Sequence, residues 1–399
     1  MASLWPGGLL FWAFLLVDRT DAISRTRHGR DDPYSQVAAQ TMTSAATGTA
    51  QTASSTRVSA QSKQYLIATF PQMHQVGYVS LPDNVWRPLV IGDIKDPRGV
   101  AVDTENARLF VADHGRQVIW WYQLSISSGL LQTDGVQHAA VEGVLPNWLT
   151  VNTVGDLYFT GKLTSSASNN TSVFRQNAKD IAKGRSTTCT EIYTQSNTGK
   201  PHPKVWVPSG IAVDPMYVYW GNQADATSHG TVVKASRTNI GLLSQEKQLG
   251  ALSYSVDSVR GMVATGTHIF YLSPKGVHGV LKTVGSPSAK PDAGLVAVSP
   301  VSEDSGKPAW NPTSIAWDGA NMLYFTDSAY GTLYRVPALN TYQHNLTKFV
   351  DAPGVYGVTL ISFTSGGLRS ASSPLAGVVA LLAAWCWLSA VPAASHGWC

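Results

Sequence analysis

Charge is what this chain is short of. Only 14% of its 399 residues are Asp, Glu, Lys or Arg, the formal net charge is +4, and no block of Lys or Arg exceeds a few residues. Without a basic stripe interleaved with aromatics, nucleic acid is not an expected partner. Glutamate is scarce, with five: Glu105, Glu142, Glu191, Glu246 and Glu303. Cysteine is scarcer, with three, and Cys386 and Cys399 both fall in a C-terminal tail, leaving Cys189 alone in the body of the chain. A disulfide framework is thereby excluded, and stability must come from packing. Cys189 reads as a buried apolar residue or as an intermolecular link.

Long apolar runs are confined to the two ends. Residues 9–17 are apolar but too few to span a bilayer, and they end near Thr20-Asp21-Ala22, which suits signal peptidase. Residues 1–22 are expected to be a secretory signal, although their first part carries no Lys or Arg. At the other end, Ser365-Gly366-Gly367 and a polar spacer precede an apolar run at 375–394. That order of small residues, spacer and tail predicts a glycolipid (GPI) attachment signal over 364–399, with the lipid on Ser365 or Gly366. The rival is a single membrane-crossing helix. The terminal SHGWC carries no Lys or Arg, and Arg369 stands on the lumenal side, which favours the lipid. The expected location is the outer face of the cell membrane. Residues 23–63 are mostly Ser, Thr, Ala and Gln and build no core; they read as a disordered linker or pro-segment. Arg27-His28-Gly29-Arg30 within them fits a processing site or a solvated linker.

What is abundant is aromatic: 13 Trp, 15 Tyr and 10 Phe, suited to strands buried on both faces. The stretch 311–337, NPTSIAWDGANMLYFTDSAYGTLYRVP, reads as three short strands separated by tight turns. Similar phrases begin at Pro97, Pro146, Pro208 and Val259, and a closing strand lies near Val355, so successive units are 43 to 62 residues apart. QYLIATF at 64–70, QVGYVSLP at 75–82 and RPLVIG at 87–92 supply three further strands with no inner one before them; VYGVTLISF at 355–363 supplies it. Five whole units and one shared between the ends predict an all-β, six-bladed β-propeller over 64–363, closed by strands from both ends of the chain.

The tetrapeptides FVAD (110–113), YFTG (158–161), YWGN (219–222), FYLS (270–273) and YFTD (324–327) resemble YWTD and NHL repeats. The resemblance implies a propeller that mostly binds proteins. It also admits an enzyme alternative, because six-bladed propellers include calcium-dependent lactonases and arylesterases and an amidating lyase with histidine-bound zinc. Such sites need Glu, Asn, Asp or His projecting into the channel. Here no Glu falls on an inner strand, and Asn147 and Asn152 are the suitable neutral oxygens near the axis, an incomplete set for a hard cation. No metal or cofactor is expected.

One face of a propeller collects the residues leading into the inner strands and the turns between second and third strands. The first group is Arg98, Asn147, Ser209, Arg260, Thr313 and Tyr356, with Trp148 standing where glycine is usual; the second is His74, His114, His229, His278 and Tyr330. A cationic, aromatic face of this kind suits a protein or glycan ligand bearing carboxylates or hydroxyls. Arg98, Arg260, Trp148, Asn147, His114, His229, His278 and Tyr356 are the expected contacts. The three His-Gly pairs are equally read as hairpin turns with the imidazole in water, and the two arginines as partners of carboxylates in neighbouring blades. Asp103, Asp214 and Asp318 at inner-strand ends, and Asp113 and Asp327 in the tetrapeptides, are expected to accept backbone hydrogen bonds in turns. Asn169, Asn170 and Asn345 are N-glycosylation acceptors; sugar at 169 or 170 would cover part of the same face.

Overall fold

The computed structural model describes residues 63–369 apart from 82, 167–170, 195–203, 224–229, 238–248, 284–293, 300–309, 340–342 and 365–366. The expected signal, linker, lipid-attachment residues Ser365 and Gly366, and the acceptors Asn169 and Asn170 lie outside them, as does His229.

Within these residues the chain forms six antiparallel sheets. Numbered from the first complete repeat, their inner strands are Pro97–Asp103, Val144–Val151, Pro208–Val213, Met262–Ala264, Pro312–Trp317 and Val358–Thr364. Each inner strand touches those of the two neighbouring blades, and the sixth touches the first, so the ring is closed. Blade 6 combines Val358–Thr364 with Lys63–Phe70, Gln75–Leu81 and Trp86–Ile91. Lys63 pairs with Phe363 and Ala68 with Val358, so the first and last strands of the ring share one ladder.

The core explains why the strands look apolar throughout rather than alternating with polar residues. In the second strand of blade 1, Leu109 and Val111 pack against blade 6 while Phe110 and Ala112 pack against blade 2. The side-chain period is still two, but both faces meet another sheet. The same arrangement recurs between every pair of neighbouring blades, giving six apolar layers arranged in a ring. The tetrapeptide aromatics fill them, with Tyr158, Phe159, Tyr219, Trp220, Phe270, Tyr271 and Phe325 at most 1% exposed.

Two details depart from the sequence expectation. The inner strand of blade 4 is only Met262–Ala264, three residues beyond Val259, although the backbone of Arg260 and Gly261 still bonds that of Leu272. His278 is not in a turn on the ring face: it lies in the strand Gly276–Leu281, buried and stacked on Tyr271 with ring centres 4.9 Å apart. Cys189 is partly buried against the layer between blades 1 and 2, and burial pushes its thiol up to about 11.

The ring face and its candidate functional site

Where the chain enters its inner strands the six blades nearly touch. A Cβ on Gly99 would stand 2.3 Å from the Asn147 carbonyl oxygen, on Gly210 1.7 Å from that of Arg260, and on Gly357 2.2 Å from that of Arg98. Gly261 faces Ser314 in the same way. Only glycine, which has no Cβ, admits such backbone contact. Hydroxyls then tie blade to blade: Thr160 donates to the Ser209 carbonyl at 2.7 Å, Thr313 to that of Tyr356 at 2.6 Å, and Thr69 to that of Arg98.

Blade 2 breaks this pattern with Trp148. The residue is 9% exposed, and the indole N–H donates to the Thr313 carbonyl at 3.0 Å. Blades 2 and 5 stand opposite each other in the ring, so the indole crosses the axis. It lies 6.4 Å, centre to centre, from the Tyr356 ring. Trp148 is therefore a plug of the channel; the expected surface contact is mostly buried because the large ring fills the space that glycine leaves empty in other blades.

Around this plug the structure brings together most of the expected cations. Arg98 in blade 1 donates to Asn147 of blade 2 at 3.0 Å and pairs with Asp96 of its own blade at 2.9 Å, its side chain 30% exposed. Arg260 in blade 4, across the ring, donates to Asn311 of blade 5 and to the Pro312 carbonyl at 3.3 Å. Each arginine thus reaches an asparagine of the next blade. Burial weakens the hold of Arg260 on its proton, opposed by Tyr356 and Asp327, and its Nε is buried without a hydrogen-bond partner. Tyr356 stands within the influence of both arginines; burial raises its phenol while the two guanidinium groups pull it down. His114 donates from Nδ1 to the Pro146 carbonyl at 3.2 Å, and burial, with Arg98 adding to it, depresses its imidazole.

The remaining expected residues do other work. His74 closes its turn in the left-handed region at φ 52° and bonds the Lys95 carbonyl. The carboxylates behave as turn acceptors: Asp113 receives the N–H groups of Lys95, Asp96 and Arg116, Asp103 that of Asn106, and Asp318 those of Ala320 and Met322. Asp214 and Asp327 do the same. Asn345 is exposed just before the outer strand of blade 5, Thr347–Asp351. Asn311 and Asp96, which hold the two arginines, were missed in the sequence. Their signal was available: both immediately precede the proline that opens an inner strand.

Below the plug, the axis is a cavity of about 140 Å³ walled by all six inner strands. Its described lining is Gly, Ala, Val, Leu, Ile, Met, Trp, Ser and Thr. Asn147 and Asn152 lie near opposite ends of one inner strand, five residues or roughly 16 Å apart, and the Asn152 side-chain oxygen is used by the N–H groups of Val154 and Asp156. Among the described residues, oxygen and nitrogen donors for a calcium or zinc ion are not assembled there, so these residues do not fit a lactonase-type or lyase-type metal centre.

No family model and no curated protein matches this chain. Among solved structures, a chain from the crystal structure of a nidogen/laminin complex is 12% identical, the match covering 75% of this chain and 98% of that one with a TM-score of 0.49. The PQQ-bound aldose sugar dehydrogenase of Streptomyces coelicolor is 15% identical over 70% and 90% with a TM-score of 0.48. A gluconolactonase of Xanthomonas campestris is 14% identical over 69% and 86% with a TM-score of 0.39. At such identities these similarities say nothing of ligand or chemistry, and the six-bladed assignment stands on the sheets and the closed ring described above.

Proposed function

We propose that this chain is a non-enzymatic recognition module of the YWTD or NHL-repeat type, secreted, held at the outer leaflet by a glycolipid, and binding a protein or glycan on its ring face. The observation that carries the reading is the pair of arginines on opposite blades, each steadied by an asparagine of the next blade, with Tyr356 between them over a plugged axis. A rigid, preorganised cationic and aromatic surface favours a ligand that offers carboxylates, because little ordering is required on binding. The chemistry of the axial wall supports the same choice, since hydroxyls and aliphatic groups provide no general acid or base.

Inner strands run from the ring face to the opposite face, and Phe363 pairs with Lys63 there, so the proposed lipid would tether the face remote from Arg98 and Arg260. The decisive experiment is the double variant Arg98→Ala, Arg260→Ala, tested on an array of acidic and neutral glycans and on intact cells. Loss of binding to acidic ligands by about tenfold or more is expected, with neutral ligands little changed. Unaltered binding would remove the ring face from the function. Release of the protein by a phosphatidylinositol-specific phospholipase tests the anchor separately.

A further inference from the structure

A second cleft lies off the axis. It lies between blades 3 and 4 on the face opposite the arginines, encloses about 480 Å³, and is walled mainly by apolar atoms, the size and character of a small-molecule pocket. Three charged side chains reach it. Asp214 leaves the inner strand of blade 3; one of its oxygens accepts the N–H groups of Met216 and Tyr217, and the other accepts the Tyr219 hydroxyl at 2.8 Å and Lys282 Nζ at 3.0 Å. Burial opposes its charge, but these bonds outweigh burial and keep the carboxyl below its ordinary range. Asp214 is therefore ionised and fully occupied, and Lys282, with its side chain 11% exposed, neutralises it.

Lys234 is left over. Its ammonium donates to the Lys282 carbonyl at 2.9 Å and sits 3.8 Å above the centre of the Tyr217 ring. No carboxylate lies within ion-pair distance of it among the described residues. An ammonium has three donors, so one remains beyond the carbonyl and the ring. Two ammonium groups and one carboxylate leave the cleft with a single uncompensated positive charge, which is costly in a partly dry site unless an anion joins it. Beside it Met216 is 64% exposed and Leu281 45% exposed, apolar surface with nothing described upon it.

We propose that this cleft binds a small monocarboxylate with an apolar body, the carboxylate meeting Lys234 and the body lying along Tyr217 and Met216. One spare charge and a largely apolar wall match a singly charged amphipathic acid better than a phosphate, which brings more charge than the site balances. The site is independent of the ring face and of its proposed ligand.

Octanoate and 1-octanol serve as probes of the full chain, with binding followed by titration calorimetry and by the resonance of a carbon-13-labelled Met216 methyl. Saturable octanoate binding that shifts this resonance is expected, with 1-octanol weaker by about tenfold or more. Lys234→Met keeps the stem and removes the charge, and it should erase the preference for the acid. Met216→Glu, at an exposed position, should weaken octanoate by repulsion even if Lys234→Met does not fold. Equal binding of acid and alcohol, a silent Met216 resonance, or octanoate affinity unchanged in both variants would overturn the proposal.

Discussion

Trp148 shows how one residue changes the use of a whole ring. At the matching positions of four other blades stand Gly99, Gly210, Gly261 and Gly357, and their lack of a side chain is what lets neighbouring backbones touch. A tryptophan there has no room sideways, and its ring goes across the axis to the carbonyl of Thr313. Trp148→Phe keeps a ring but removes the donor, leaving a buried carbonyl without its partner. A loss of about 1–3 kcal/mol follows, measured as a lowered urea midpoint with an unchanged slope. An unchanged midpoint would mean that the indole bond contributes nothing. The same residue-level view separates the histidines: His114 stays beside Arg98, whereas His278 alternates inward along its strand and is stacked on Tyr271.

At the scale of elements, the closure of the ring has a clasp that the repeat pattern does not contain. The third strand of blade 1, Val118–Ser127, runs on into a hairpin with Leu130–Thr133. The hairpin leans over blade 6, where the Gly129 carbonyl accepts both the Tyr65 hydroxyl at 2.7 Å and Lys63 Nζ at 2.8 Å. Leu131 is buried in the layer shared with Tyr65 and Phe363. These contacts secure the first strand of the described ring, Lys63–Phe70, whose ladder partner lies about 300 residues away. Tyr65→Phe should cost about 0.5–1.5 kcal/mol and quicken amide exchange in 63–70 more than in blade 3. Lys63→Ala should change little, since its bond is solvent-exposed. Uniformly faster exchange in all blades would show that the clasp is not local to the seam.

For the whole molecule, what matters is that the ring closes, not where the chain begins. Lys63 and Phe363 are paired neighbours, one strand spacing apart. A flexible linker of about eight residues spans that distance. A permuted chain joining Thr364, next to the Phe363 that pairs with Lys63, to Lys63, with new ends between the exposed Gly135 and Val136, should keep its sheet content and melt within a few degrees of the parent. A permutant that fails to fold would show that the seam needs its natural ends.

The number of blades, the strand that completes the last one, and the turn-capping role of Asp103, Asp113 and Asp318 were all legible in the order of residues. Each depends on a local pattern: two-residue periodicity, glycine and aspartate at turns, and a repeat spacing that recurs along the chain. The tertiary structure alone decided that Trp148 blocks the axis, that Arg98 and Arg260 are held by Asn147 and Asn311, and that Lys234, in a cleft between blades 3 and 4, meets no carboxylate among the described residues. The physical reason is distance along the chain. Trp148 and Thr313 are 165 residues apart, and Lys282 and Asp214 are 68 apart, so no local periodicity carries a record of such partners until the ring has brought them together.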